Sequence, residues 1–320
     1  MTFEIRKYQS SPEVWDRFVE DSNEGTIFHR LDFLGYHGSR FRDCENHLGI
    51  YKGTTLHGVM PMAVFEEDGK KIARSPYGAS YGGPVFPKPL RYSESKEIAY
   101  RLVEFLSDLG VQSCSITLPI SCAFQTYSET FCLALMECGF KVVNRDISSA
   151  VNLSQNLPLE KIITARARNM TNKARGYGIE IVRQGNLNEF YGLLIKNYQK
   201  FGTKPTHSLD ELALLAALFP SRVFVNLGYY DNQPVVGVCN FVINKRVNSS
   251  FYLAQDPEFA HLQALSLLIY ETLNDSLTAG FQWYDFGLSS TRMQGQENIF
   301  MFKESFGAVG VFRETYGWER

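Results

Sequence analysis

No run of apolar residues in this sequence approaches the roughly 20 that a helix needs to cross a bilayer, and the opening stretch MTFEIRKYQSS lacks the apolar core of a secretory signal. Both absences lead to the expectation of a cytoplasmic protein. CxxC pairs and Cys/His metal spacings are lacking too. Cys44, Cys114, Cys122, Cys132, Cys138 and Cys239 lie scattered, mostly among apolar neighbours, as small core residues of a reducing compartment do. His29, His37, His47 and His57 form neither HxxxH nor HxH, so no metal is expected. Walker A and GxGxxG are absent, which argues against a P-loop NTPase and a dinucleotide fold. A surplus of charge of one sign is lacking as well. A formal net charge of −2 gives no global attraction to nucleic acid or a membrane, so any polyanion would have to meet a local patch.

What the sequence does have is apolar mass and an internal echo. With 320 residues, 44% of them hydrophobic and 14% aromatic, it can fill two cores. LGIYKGTTLHGVMPMAVF from Leu48 aligns without gaps on LGYYDNQPVVGVCNFVIN from Leu227, an offset of 179 residues. Gly49 matches Gly228, Tyr51 matches Tyr230, Gly58 matches Gly237 and Val59 matches Val238. Each copy has strand-like runs around a polar turn, the pattern of a hairpin. Downstream, LGVQSCSITL from Leu109 aligns on AGFQWYDFGL from Ala279, and a helical stretch precedes each copy. Two matches in one order point to a tandem duplication. The expected fold is mixed α/β (α+β), with largely antiparallel sheets flanked by helices, in two domains covering residues 1–155 and 156–320.

Two helices of the second half carry signals. Pro158 to Tyr177 reads as one helix, with proline at its first position and Gly178 as a left-handed cap. Ile163, Ala167, Met170, Ala174 and Tyr177 share the side that should face the core. Lys161, Arg168 and Arg175 form one basic ridge, and Arg166 and Lys173 a second. Residues 158–183 hold six basic and two acidic residues, and the cations have no acid four residues away to neutralise them. A solvated face and a site for a phosphate-rich ligand are both open readings. The second helix, Pro257 to Ala279, has Asp256 as N-cap and Gly280 after its end.

In this order, RARNMTNKARGYGIEI, FGTKPTHS, GVCNFVI, WYDFGLSS and FKESFGA, preceded by GTIFHRLDFLGYH and YGASYGGPVF, resemble the FemAB-type transferases, relatives of the GNAT acyltransferases built from two GNAT-like domains in tandem. The resemblance spans most of the chain and rests on motif order and duplication, not on any one motif. It implies transfer of an activated acyl group, aminoacyl from a charged tRNA or acyl from coenzyme A, onto an amine, often in a cell-envelope precursor carrying a diphosphate. By the same resemblance Phe302 and Lys303 match the family's Phe-Lys pair, which puts the lysine at the donor's acyl or phosphate end. A lone lysine in FKESFG also reads as a surface residue of a Gly-bounded turn.

Asp285, in WYDFG, sits toward a strand end, where a carboxylate could take a proton from the attacking amine or hold Lys303 or a backbone amide in place. The orienting role is favoured. Lys303 and Asp285 are thus the catalytic candidates. Phe302, Tyr284, Tyr252, Arg166, Arg168, Arg175, Lys204 and His207 are the substrate-binding ones. Tyr284 and Tyr252 would line one cleft if their strands are neighbours, and Lys204 and His207 occupy a polar loop.

The sequence departs from ordinary GNAT enzymes at the turn QDPEFAHLQA, where Asp256 and Glu258 stand in place of a basic, glycine-containing phosphate loop and Pro257 lacks an N–H. That departure shifts the expected donor from coenzyme A toward aminoacyl-tRNA, which would rest on the basic helix. The leading expectation is therefore an aminoacyl transfer that forms an amide on an amine of a cell-envelope precursor, such as a nucleotide- or lipid-linked sugar. No tightly bound cofactor is expected. The alternatives are a coenzyme A dependent N-acyltransferase acting on an amino sugar in surface-polysaccharide synthesis, and a catalytically silent binding module.

Overall fold

The computed structural model describes residues 2–199 and 202–320. It divides into two compact units, residues 1–146 with 312–320 and residues 147–311. The division falls at Asp146/Ile147 rather than at 155/156, and nine residues from the end of the sequence join the first unit.

Unit 1 begins with β1 (Phe3–Lys7), α1 (Pro12–Asp21) and the single turn α2 (Leu31–Leu34), followed by β2 (Leu48–Lys52), β3 (Thr55–Met60), β4 (Ala63–Glu67) and β5 (Lys70–Ser75). α3 (Tyr92–Asp108), β6 (Ser113–Thr117), α4 (Thr130–Glu137) and the first half of β7 (Lys141–Asn152) complete its contiguous part. β1, β2 and β3 form an antiparallel sheet. β4 pairs antiparallel with β5, and β5 pairs parallel with β6. The far edge of β6 takes the strand that ends the sequence, Ser115 facing Gly317.

Unit 2 repeats this plan. It holds α5 (Leu159–Ile162), α6 (Ala165–Gly176), β8 (Glu180–Val182), α7 (Leu187–Gln199), α8 (Leu209–Leu218), β9 (Val223–Tyr230), β10 (Gln233–Val242) and β11 (Val247–Gln255). Then come α9 (Ala264–Thr278), β12 (Trp283–Leu288), the two-residue strands β13 (Ser290–Thr291) and β14 (Gln294–Gly295), and α10 (Glu297–Ser305). β15 (Ala308–Glu319) starts in this unit and ends in unit 1. The sheet order is β7-β12-β11-β10-β9-β8, antiparallel except for the parallel pair β11 and β12. The aligned hairpins thus hold the same place: Gly49 faces Arg6 on β1, and Gly228 faces Ile181 on β8. The repeated Gly58 and Gly237 admit a ring against the sheet, since a Cβ would lie 2.8 Å from Phe86 in one unit and 2.6 Å from Phe190 in the other.

Helix ends depart from the sequence expectation in two places. The Pro158–Tyr177 stretch breaks after Ile162, and Thr164 caps α6 by accepting from the Ala167 N–H. Ile163, Ala167 and Ala174 are buried as expected, but Tyr177 is 41% exposed. Likewise Asp256 caps only a 3-10 turn, Pro257–Leu262, and α9 starts afresh behind Gln263, which adopts left-handed φ of 58°. The kink leaves the first turn of α9 with no side-chain cap.

Candidate active site

Parallel strands β11 and β12 pair only at Val247–Trp283, Asn248–Tyr284 and Ser249–Asp285, and then part. At the end of β11, where the chain enters α9, lies an open cavity of about 370 Å³. Its wall comes from five elements: Arg166, Ala167 and Met170 of α6, Gln255 ending β11, Ala260 of the 3-10 turn, Gln263 and Ser266 at the start of α9, and Asn298, Met301, Phe302, Ser305 and Phe306 along α10. An uncapped helix N-terminus, a guanidinium and several amides and hydroxyls around one opening make a setting suited to an anionic, phosphate-bearing group.

Two sequence candidates, Arg166 and Phe302, therefore meet in one cavity. The other arginines do not join them. Arg168 donates to the Glu160 carbonyl at 3.1 Å. Arg175 pairs with Glu271 at 3.1 Å and stacks over the Tyr270 ring at 4.7 Å, and Arg183 binds Asp275 at 2.6 Å. Glu271, the acid that pairs with Arg175, sits on α9, far away in sequence, which is why a search at i+4 misses it. The turn thought unfit for phosphate also looks different in space. Asp256 is 2% exposed, accepts from Lys196 Nζ of α7 at 2.9 Å, caps the Glu258 N–H, and is not part of the cavity wall. Its charge is met elsewhere, so it does not repel an anion at the opening.

Lys303 is neither on the surface nor in a turn. It lies in the last helical turn of α10 at 5% exposure, and Gly307, with φ of 82°, ends that helix. Its Nζ donates to the carbonyls of Gly287 at 2.8 Å and Leu288 at 2.6 Å. Burial lowers its pKa to about 8, opposed by the nearby charge of Asp285. Asp285 is 2% exposed; it accepts from Ser148 Oγ at 2.6 Å, the Gly287 N–H at 2.9 Å and Ser249 Oγ at 3.4 Å. Lys303 is not in the cavity wall, although Phe302 and Phe306 beside it are.

Tyr284 and Tyr252 lie on neighbouring strands, and neither is in the cavity wall. Tyr284 is fully buried in a cluster with Ile269 and Leu273 of α9, and desolvation pushes its phenol pKa up. Tyr252 receives His207, whose Nδ1 lies 2.8 Å from the phenol oxygen, while the His207 ring packs against Phe251. Lys204 is exposed and apart from the cavity. The first residue of FGTKPTHS, Phe201, lies outside the described residues. Sequence reading missed Gln255, Gln263, Ser266 and Asn298 in the cavity wall, and Ser148 and Ser249 on Asp285. Only the serine pairs in ISSAV and NSSFY, polar in otherwise apolar strands, hinted at any of them.

Among the described residues no group of three or more His, Cys, Asp and Glu could hold a metal, and no helix is long and apolar enough to cross a membrane. Residues 164–296 match the family model of the acetyltransferase (GNAT) domain. Solved structures share the fold at low identity. FemX matches with a TM-score of 0.74 at 11% identity over 98% of this chain and 97% of its own. The L-PGS of Bacillus licheniformis matches with 0.58 at 11% over 98% and 93%. A tandem GNAT protein from the clavulanic acid biosynthesis pathway matches with 0.57 at 11% over 99% and 98%. No curated protein sequence matches the chain.

Proposed function

We propose that this chain, whose residues 164–296 match the acetyltransferase (GNAT) domain and whose fold is shared with FemX and a tandem GNAT protein, is an acyltransferase that draws its acyl group from a coenzyme A thioester whose phosphates enter the 370 Å³ cavity, and passes it to an amine. The observation that carries this reading is the meeting of Arg166, the uncapped start of α9 and Phe302 around one opening. Arg166 and the helix N-terminus would neutralise a diphosphate, and the Phe302 and Phe306 rings would flank the less polar arm that leads to the thioester. The acceptor amine attacks the thioester carbonyl, the C–S bond breaks, an amide forms, and the amine's proton leaves with the thiol.

Aminoacyl-tRNA, the donor first expected from the resemblance, would need a broad basic surface, and Arg175 and Arg183 are already paired with Glu271 and Asp275. An amine of a cell-envelope precursor remains the acceptor class that the family resemblance suggests. Calorimetric titration of the protein with acetyl-CoA and, separately, with charged tRNA tests the donor. Micromolar binding of acetyl-CoA that weakens at least tenfold in Arg166→Ala supports the reading. Binding of charged tRNA alone, with steep salt dependence, would replace it with the aminoacyl reading.

A further inference from the structure

β12 leaves its regular ladder with β7 just after Asp285. Asp285 faces Ala150, but the next partner pair is Leu288 and Ser148, so β12 spends one residue more than β7 over the same step. This is a β-bulge, and Gly287 within it has φ of 73°. Backbone groups in a bulge lose their ladder partners and must find others when buried. In this bulge they go to two buried ionisable side chains. The Gly287 N–H goes to Asp285, and the Gly287 and Leu288 carbonyls go to Lys303. Asp285 is itself fixed by Ser148 of β7 and Ser249 of β11.

An ammonium suits this task better than a neutral donor. It carries several N–H groups on one atom, so it can reach two carbonyls that converge, and the four-carbon stem spans from helix to strand. On α10 Lys303 stands in sequence between Phe302 and Phe306, whose ring centroids are 5.3 Å apart and which form part of the cavity wall.

We propose that Lys303 is a positioning residue: it clamps the last turn of α10 to the bulge of β12, and so sets the Phe302 and Phe306 wall of the donor cavity without touching the acyl group. The clamp follows from geometry alone; that the cavity takes the donor rests on the function proposed above.

Hydrogen exchange and donor affinity together test it. In Lys303→Met, segments 283–290 and 297–306 should exchange at least tenfold faster, both together, and acetyl-CoA should bind at least tenfold more weakly. Gly287→Ala has open space for its Cβ but strains the left-handed backbone. It should loosen the same two segments by a smaller factor, about threefold, and it keeps the test alive should Lys303→Met fail to fold. Unchanged exchange in both segments with lost acetyl-CoA affinity would place Lys303 on the donor itself and overturn the clamp. Faster exchange with unchanged affinity would overturn its link to the cavity, because a merely structural lysine would leave ligand binding alone. If the unmodified protein does not bind acetyl-CoA, the donor reading fails, while the exchange rates still decide whether the clamp exists.

Discussion

Each unit has a pocket beside the stretch that joins the first strand of its parallel pair to the following helix, β5 to α3 in unit 1 and β11 to α9 in unit 2, and the two are filled in opposite ways. In unit 2 it is the open, polar cavity of about 370 Å³ with Arg166 in its wall. In unit 1 the counterpart shrinks to about 40 Å³ between Pro84, Phe86, Pro89, Pro119, Phe124 and Phe131, with a buried Glu24 whose carboxyl accepts from the Phe86 N–H at 2.8 Å. One copy keeps space for a ligand; the other spends the same position on packing. A duplicated fold can thus divide stability and binding between its halves.

Crossed substitutions would break this contrast if it is false. The largest effect is expected for Phe86→Ala: Phe86 is 4% exposed, and removing it should destabilise the protein by about 3–5 kcal/mol in denaturant unfolding while leaving acetyl-CoA affinity within twofold once folded. Arg166→Ala should do the reverse, weakening acetyl-CoA at least tenfold, about 1.4 kcal/mol, with an unchanged melting temperature. Equal loss of affinity in both variants would remove the division.

Titration offers a second contrast. Desolvation raises the Glu24 carboxyl from 4.5 to about 8, so the folded state holds a proton that the unfolded chain has released. The stability this contributes is complete below pH 4.5 and is lost as the pH rises toward 8. Lys303 is the mirror case, lowered from 10.5 to about 8, so its contribution is complete above pH 10.5 and lost as the pH falls toward 8. Each slope is bounded near 1.4 kcal/mol per pH unit. Subtracting the stability curve of Glu24→Gln from that of the unmodified protein should show a falling difference between pH 4.5 and 8. Subtracting that of Lys303→Met should show a rising one between 8 and 10.5. The smallest effect is expected for Arg175→Ala: its pair with Glu271 is exposed, so stability should change by less than about 1 kcal/mol and acetyl-CoA affinity by less than twofold.

The features that could be read in the sequence were those written in local pattern. Alternating strands around polar turns gave both hairpins, and the glycines at positions 49, 58, 228 and 237 gave the duplication, because close-packed neighbours, a ring at 49, 58 and 237 and Val236 at 228, leave no room for a side chain there. What stayed hidden depends on distant partners. Arg175 looked free because Glu271 lies 96 residues away. FKESFG read as a turn because Lys303 discourages a buried assignment, and only the unpaired carbonyls of the β12 bulge explain why a lysine is tolerated inside. PEFAHLQALS read as one helix because nothing local announces that Gln263 turns left-handed, yet that kink opens the cavity beside α9.

The pairing of Ser115 with Gly317 has a consequence for how the protein is made. On the ribosome, unit 2 is contiguous and can fold once residue 311 has emerged, whereas unit 1 waits for residues 312–320. Until then β6 presents an open edge, and its sheet must be closed by a contact about 200 residues long, the slow kind. The half that is translated first is therefore the half that is finished last.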